Sequence, residues 1–221
     1  CIVAIDEFQV VADYPEKSAE AILRTHIQRC QNTRFIYAGS QRHMMAEIFA
    51  SPSRPFYQST SMMSLAPIDI EKYVEFAQRL FREYRKDRGQ ETIEEVYQRY
   101  EGVTWYVQTI LNALFAMTEP GGKCLSESID YAIQQVITQQ SFAYSALLFQ
   151  LPSKQKEVLM AICKEGKATN ITSRSFLQRH HLTASTVQGA VKGLLEKDII
   201  TQDLGTYSVY DNFFAMWLMQ Q

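Results

Sequence analysis

Two short apolar segments near the start of the chain restrict its fold more than any other feature of the sequence. The first, CIVAI, is residues 1–5, and the second lies within TRFIYAGS, residues 33–40. Between them is a helical pattern whose apolar face carries Ala19, Ile22, Leu23, Ile27 and Cys30. A strand, a helix and a second strand at this spacing form a βαβ unit, so we predict a parallel sheet with buried strands.

Residues 65–150 show helical periodicity only. The first helix of this segment has one apolar stripe, formed by Ile70, Tyr73, Val74, Ala77, Leu80, Phe81 and Tyr84. Thr92 and Glu95 have the spacing of a capping box, which predicts a helix start at Thr92. The segment contains eight basic and twelve acidic residues, and we therefore predict a solvated helical bundle that does not bind polyanions.

Residues 151–221 change pattern again, to three helices followed by two short strands around Gly205. Thr183 is the predicted N-cap of the third helix, and the aromatic tail DNFFAMWLMQQ predicts one more helix. This order is typical of a winged helix-turn-helix. The predicted fold class is thus α/β plus all-α, with domains at 1–64, 65–150 and 151–221.

Polar residues follow both predicted strands of the α/β segment. Asp6 and Glu7 come directly after the first strand, and Ser40 ends the second. Because ligands of parallel sheets bind at the carboxyl ends of the strands, we expect these side chains to share one site. An Asp at a strand end suits Mg²⁺, which takes one or two carboxylates from a protein, and a neighbouring Glu can orient or deprotonate an attacking water.

Composition excludes several classes of protein. The net charge is −2 and the pI about 6.1, which argues against a protein that binds polyanions over its whole surface. No apolar run approaches the roughly 18 residues of a membrane span, and no signal peptide is evident. The four cysteines are far apart without metal-ligand spacing. These features predict a cytoplasmic protein with reduced thiols and no membrane partner.

The chain resembles the archaeal-type P-loop ATPases, a group related to the AAA+ and STAND ATPases. The similarity is carried by CIVAIDEFQ, by FIYAGSQRHMMAEIFASPSRPFYQ, by the L-x-P at residues 65–67 and by YSVYDNFFAMWL near the end. It implies the part of a parallel-sheet P-loop NTPase core that starts at the Walker B strand. A helical lid bundle and a C-terminal winged helix-turn-helix are implied to follow.

The resemblance also implies roles for individual residues. Asp6 would hold Mg²⁺ through water, Glu7 would be the catalytic base, and Ser40 would be the sensor of the γ-phosphate. Arg54 or Arg42 would supply positive charge in the transition state. ATP and Mg²⁺ are the implied cofactors, and the implied function is an ATP-hydrolysing switch.

One expected motif is missing from the sequence. No G-x-x-x-x-G-K-S/T string occurs, although the backbone amides and lysine of that loop grip the phosphates in P-loop ATPases. We therefore expect the chain to be a fragment whose phosphate-binding loop precedes Cys1. The fragment alone is expected to be inactive.

The winged segment leaves two other functions open. In a regulator that binds DNA, Arg174, Thr186, Gln188 and Lys192 are the predicted contacts to DNA. Residues 151–221 carry eight basic and six acidic residues, a net charge of +2 that is small for such a surface. The segment would otherwise pack against a partner protein, as in an adaptor with a degenerate ATPase core. An oligomer is compatible with each of these functions.

Overall fold

The structure of the chain, a computed structural model, describes residues 1–16, 18–86 and 89–221, with the backbone alone at Arg42. Contacts divide the chain into two compact units, Cys1–Ala66 and Pro67–Gln221. Each unit has a hydrophobic core of its own. The division into three domains made from the sequence stays a prediction.

The first unit contains the expected strand, helix and strand. Its elements in order are β1 Ile2–Ile5, a 3₁₀ helix Phe8–Asp13, α1 Ala19–Arg29, β2 Arg34–Tyr37 and α2 Arg42–Ala50. The two strands are parallel, with Ile2 opposite Arg34 and Ile5 opposite Tyr37. The 3₁₀ helix and α2 were not predicted.

The strands of this unit are less buried than predicted. Both alternate between exposed and half-buried residues, and the side chains of Ile2 and Ile36 are 71% and 55% exposed. The buried cluster of the unit, Phe8, Val11, Ile48, Phe49 and Phe56, packs against Ile5 and Tyr37 on one face of the sheet. The predicted apolar face of α1 is likewise only partly buried. Leu23 and Ile27 pack against this cluster, whereas Ile22 and Cys30 are exposed.

The second unit is helical with one small sheet. Its helices are α3 Ile70–Glu83, α4 Gln90–Arg99, α5 Thr104–Met117, a 3₁₀ helix Ser126–Ser128, α6 Ile129–Gln150, α7 Ser153–Glu165, α8 Arg174–Arg179, α9 Ala184–Leu195 and α10 Asn212–Leu218. Its strands are β3 Ala168–Thr169, β4 Ile200–Asp203 and β5 Thr206–Val209, antiparallel in the order β3-β5-β4. The order from α7 to β5 is that of a winged helix-turn-helix, as expected.

Helix starts were predicted with mixed success. The hydroxyl of Thr183 accepts a hydrogen bond from the backbone amide of Thr186 (3.3 Å), as expected for the cap of α9. Thr92 does not begin a helix, because α4 starts two residues earlier and the Thr92 side chain is buried. Its hydroxyl donates to the carbonyl oxygen of Cys124 at 3.2 Å, so Thr92 joins α4 to the segment before α6.

Helix α10 packs against the helical part of the second unit through apolar and polar contacts. Phe213, Phe214 and Trp217 are buried in the core. Asp211 caps the helix by accepting from the amides of Phe213 (2.8 Å) and Phe214 (3.3 Å), and Tyr144 of α6 donates to its other carboxylate oxygen at 2.9 Å. One continuous core therefore extends from α3 to α10.

Candidate functional site at the ends of β1 and β2

The parallel pairing of β1 and β2 brings the polar residues that follow them to one edge of the sheet. The amide of Ala38 donates to the carbonyl oxygen of Ile5, and the amide of Phe8 donates to the carbonyl oxygen of Ala38, both at 2.9 Å. These bonds extend the ladder one step beyond the strands. Glu7 and Ser40 are thereby brought together.

Glu7 is the centre of this cluster. Its carboxylate accepts a hydrogen bond from the hydroxyl of Ser40 (2.9 Å) and another from the side-chain amide of Gln9. The Gln9 bond, and after it the Ser40 bond, lowers the pKa of Glu7 below its ordinary value of 4.5. Glu7 is therefore ionised at neutral pH.

The backbone of Glu7 is in the left-handed region, with φ 47° and ψ 42°. This conformation costs a residue other than glycine roughly 1–2 kcal/mol. Seven other non-glycine residues in the described part of the chain share this region, so the conformation accounts for the sharp turn after β1 and is not by itself a sign of function.

Asp6 is exposed beside Glu7, and one of its carboxylate oxygens accepts from the backbone amide of Glu7 at 2.9 Å. In the described part of the chain, no group of three or more His, Cys, Asp or Glu side chains could hold a metal by itself. Mg²⁺ is typically bound by one or two carboxylates, waters and substrate phosphates. A single exposed Asp therefore fits Mg²⁺ that arrives with a phosphorylated ligand.

Arg54 forms ion pairs with two other carboxylates of the first unit. Its guanidinium lies 3.4 Å from Glu20 and 3.6 Å from Glu47. Glu20 is only 6% exposed, and a buried carboxylate needs such a partner. The structure, in the residues it describes, shows no ion pair between Arg54 and Glu7. The side chain of Arg42, the other candidate, lies outside the described part.

Gln9 is the residue of this site that the sequence did not single out. Its side chain is buried, with 3% exposure, and no group in the described part of the chain bonds its carbonyl oxygen Oε1. The residue sits in the 3₁₀ helix, which was not predicted, and its contact with Glu7 depends on the left-handed turn. The sequence signals were its place at the end of CIVAIDEFQ, a string that carries the family resemblance, and its polarity next to Phe8 where the apolar strand has ended.

The candidate DNA contacts lie on α8 and α9. Arg174, Gln188 and Lys192 are exposed, and the last two are one helical turn apart on α9. Lys192 is 3.9 Å from Glu196. Thr186 is half-buried, with its hydroxyl 2.9 Å from that of Thr183, so it supports the helix start more than it faces solvent.

Comparisons with known proteins agree with the architecture. A family model described as a probable winged helix domain matches residues 142–220. A similar solved structure is a Walker-type ATPase of Pyrococcus abyssi, at 20% identity and a TM-score of 0.61, covering 99% of this chain and 63% of that chain. No curated protein matches the chain.

These similarities confirm the fold and the winged helix domain that were expected from the sequence. The chain has the fold of a Walker-type ATPase over the aligned part and contains a winged helix domain. It spans less than two thirds of the length of the solved structure. The relation to AAA+ and STAND ATPases stays a prediction. No helix among the described residues is long and apolar enough to cross a membrane.

Proposed function

We propose that the chain is part of an ATP-hydrolysing switch protein of the Walker type, with its hydrolytic residues at the ends of β1 and β2. The observation that carries this proposal is the hydrogen bond between Ser40 and the Glu7 carboxylate beside the exposed Asp6. The fold shared with a Walker-type ATPase supports it. The parallel-sheet P-loop core and the Walker B role of β1 belong to this proposal.

Each polar residue has one task in the proposed reaction. Asp6 would hold Mg²⁺ that arrives with the nucleotide, and the ion would supply positive charge to the phosphates. Glu7 orients the attacking water and accepts its proton, and Ser40 bonds the γ-phosphate.

Ser40 connects Glu7 to the phosphate side of the proposed site. Its hydroxyl donates to the Glu7 carboxylate at 2.9 Å and would exchange this bond for one to the γ-phosphate when the nucleotide binds.

Binding of the phosphates needs a separate element of the protein. This sequence contains no G-x-x-x-x-G-K-S/T loop, and in the proposed protein residues outside these 221 supply it. Arg54 acts on the transition state only if it leaves Glu20 and Glu47. An Arg54→Gln variant would therefore lose stability as well as turnover.

The test uses the complete gene product that contains this chain. Glu7→Gln removes the proton acceptor but keeps the size and much of the hydrogen bonding of the side chain. We expect unchanged ATP affinity and a loss of turnover on the order of 10²-fold or more. Glu16→Gln is the matched control, because Glu16 is an exposed carboxylate of the same unit. Equal turnover in wild type and Glu7→Gln would remove Glu7 from the reaction.

The winged helix supports a second candidate function, binding of duplex DNA. The exposed pair Gln188 and Lys192 on α9, with Arg174 on α8, is the observation that favours it. Anisotropy of a labelled duplex, measured between 50 and 200 mM salt, should show affinity that falls with salt and falls further in Arg174→Glu/Lys192→Glu. Salt-independent or absent binding would favour a protein partner for this surface.

A further inference from the structure

The side-chain amide of Gln9 combines two unusual features. It is almost fully buried, yet its Oε1 atom has no hydrogen-bond partner among the described residues. Leaving a buried polar atom unpaired costs roughly 1–3 kcal/mol, and polar groups are rarely kept in that state without a reason. The one hydrogen bond that the described part of the chain gives this amide goes from Nε2 to the Glu7 carboxylate.

The local backbone explains how Gln9 reaches Glu7. The left-handed conformation of Glu7 turns the chain sharply from β1 into the 3₁₀ helix. This turn places a side chain two residues ahead next to the carboxylate. Phe8, between them, points into the aromatic cluster and contacts Tyr37, Phe49 and Phe56. The packing of Phe8 therefore holds the turn in place.

Gly39 makes room for this arrangement. A Cβ atom at Gly39 would lie 2.4 Å from Oε1 of Gln9 and 2.6 Å from the sulfur of Met45, closer than side-chain atoms approach. Both contacts are with the ends of flexible side chains. A larger residue at position 39 would therefore displace Gln9 while leaving the backbone able to fold.

We propose that Gln9 is a positioning residue that holds the Glu7 carboxylate in its working orientation, and that Gly39 is needed because it leaves space for the Gln9 amide. The consequence for catalysis rests on the proposed ATP hydrolysis. In that reaction Ser40 turns to the phosphate, and Gln9 is then the one side chain among the described residues that still donates to Glu7.

The first test does not depend on activity. The carboxyl ¹³C resonance of Glu7 is titrated in the 221-residue chain and in Gln9→Met, which removes the amide but keeps the length and apolar volume of the side chain. The Glu7 pKa should rise in Gln9→Met and in Gly39→Ala. In the control Gln31→Met, the same change at an exposed position of the same unit, it should stay as in the wild type. Ring-current shifts of Phe8 and Tyr37 show whether the unit remains folded.

The second test measures ATP hydrolysis by the complete gene product. Gln9→Met should lower kcat on the order of tenfold or more, with KM for MgATP unchanged, because the base is misplaced but nucleotide contacts remain. Gly39→Ala, which displaces the Gln9 amide, should lower kcat in the same way, whereas Gln31→Met should not. A purely structural role would change stability without this split between kcat and KM.

The outcomes separate the two proposals. If the Glu7 pKa rises in Gln9→Met while the wild type shows no Mg²⁺-dependent turnover, Gln9 still positions Glu7 and the proposed function fails. If the wild type hydrolyses ATP and Gln9→Met retains both the Glu7 pKa and kcat, the positioning role is overturned. If Gln9→Met does not fold, the Glu7 pKa is compared in Gly39→Ala and Ser40→Ala. A pKa that is raised in Ser40→Ala but unchanged in folded Gly39→Ala contradicts the role of Gln9.

Discussion

Each unit of the molecule has a polar cluster built around one carboxylate, and the two clusters are used differently. Glu7 in the first unit accepts from two side chains while it remains exposed on a strained, left-handed backbone. Asp211 in the second unit accepts from two helix amides and from Tyr144, and its backbone is extended and unstrained. The chemistry of the acceptor is the same in both.

The surroundings of the two carboxylates determine what each contributes. Asp211 satisfies the amides of Phe213 and Phe214 at the start of α10, and it shares the hydroxyl of Tyr144 with the side-chain oxygen of Gln140. Burial first, and then Asp211, raises the pKa of Tyr144 far above its usual range. Glu7 satisfies no helix end, and its site retains strain and an unpaired amide oxygen. We infer that Asp211 contributes stability and Glu7 contributes chemistry.

The largest expected effect is at Asp211. Asp211→Ala removes the cap of α10 and one of the two acceptors of the Tyr144 hydroxyl, the other being Gln140, which together should cost about 2 kcal/mol of unfolding free energy. Asp211→Asn keeps an oxygen for the cap and should lose about 1 kcal/mol. Both tryptophans, Trp105 and Trp217, lie in the second unit, so urea unfolding followed by tryptophan fluorescence reports on that unit alone. Equal stability of wild type and Asp211→Ala would remove the contrast with Glu7.

A pair of tyrosines gives the next largest effect. Tyr144→Phe removes the bond to Asp211 and should cost about 1 kcal/mol. Tyr100 is also buried, which raises its pKa to about 12, but its hydroxyl bonds no group of residues 1–16, 18–86 and 89–221. Tyr100→Phe should therefore be neutral or slightly stabilising. The same fluorescence measurement checks both, and equal losses would show that burial rather than bonding matters.

Glu7→Gly should cost about 1 kcal/mol, because the buried Gln9 amide loses its bond to the carboxylate and relief of the left-handed strain offsets only part of that loss. Hydrogen exchange at the amides of Phe8 and Ala38, which join the two strand ends, measures the first unit. The same substitution should abolish turnover in the complete gene product. A loss of stability as large as that of Asp211→Ala would mean that Glu7 is structural.

The smallest effect concerns Glu165, a third carboxylate with charged partners. Hydrogen bonds from His180 and then Arg179 lower its pKa. A lowered folded-state pKa stabilises the protein above the unfolded-state pKa of about 4.3, and this contribution disappears as the pH falls through the folded value. Glu165→Gln should thus be slightly less stable than wild type at pH 6, with the difference shrinking below pH 4. A constant difference over this range would show that the charge of Glu165 is irrelevant.

The sequence predicted the parts of the fold that depend on periodic apolar residues. The parallel pair β1 and β2, the amphipathic α3, the capped α9 and the aromatic helix α10 follow from such patterns. Strand β3 was not predicted, because its two residues are too few to show a period. Thr92 matched a capping box by spacing, but its burial against Cys124 decided its role.

The sequence was sufficient to predict the residue types of the candidate site and its place at the ends of the strands. Asp6, Glu7 and Ser40 follow two parallel strands, which is enough to expect them at one edge. The left-handed conformation of Glu7 and the buried position of Gln9 arise from packing of Phe8 under the turn. Such contacts join elements that no local pattern relates, and for the same reason the ion pairs of Arg54 could not be anticipated.

The location of the bound metal tests the central claim most directly. Mn²⁺ replaces Mg²⁺ in the nucleotide complex of the complete gene product, and paramagnetic broadening is recorded at the side chains of Glu7 and Ser40. If the ends of β1 and β2 form the hydrolytic site, both broaden strongly. Sharp Glu7 and Ser40 resonances in the presence of bound Mn²⁺–ATP would place the nucleotide elsewhere and contradict the assignment.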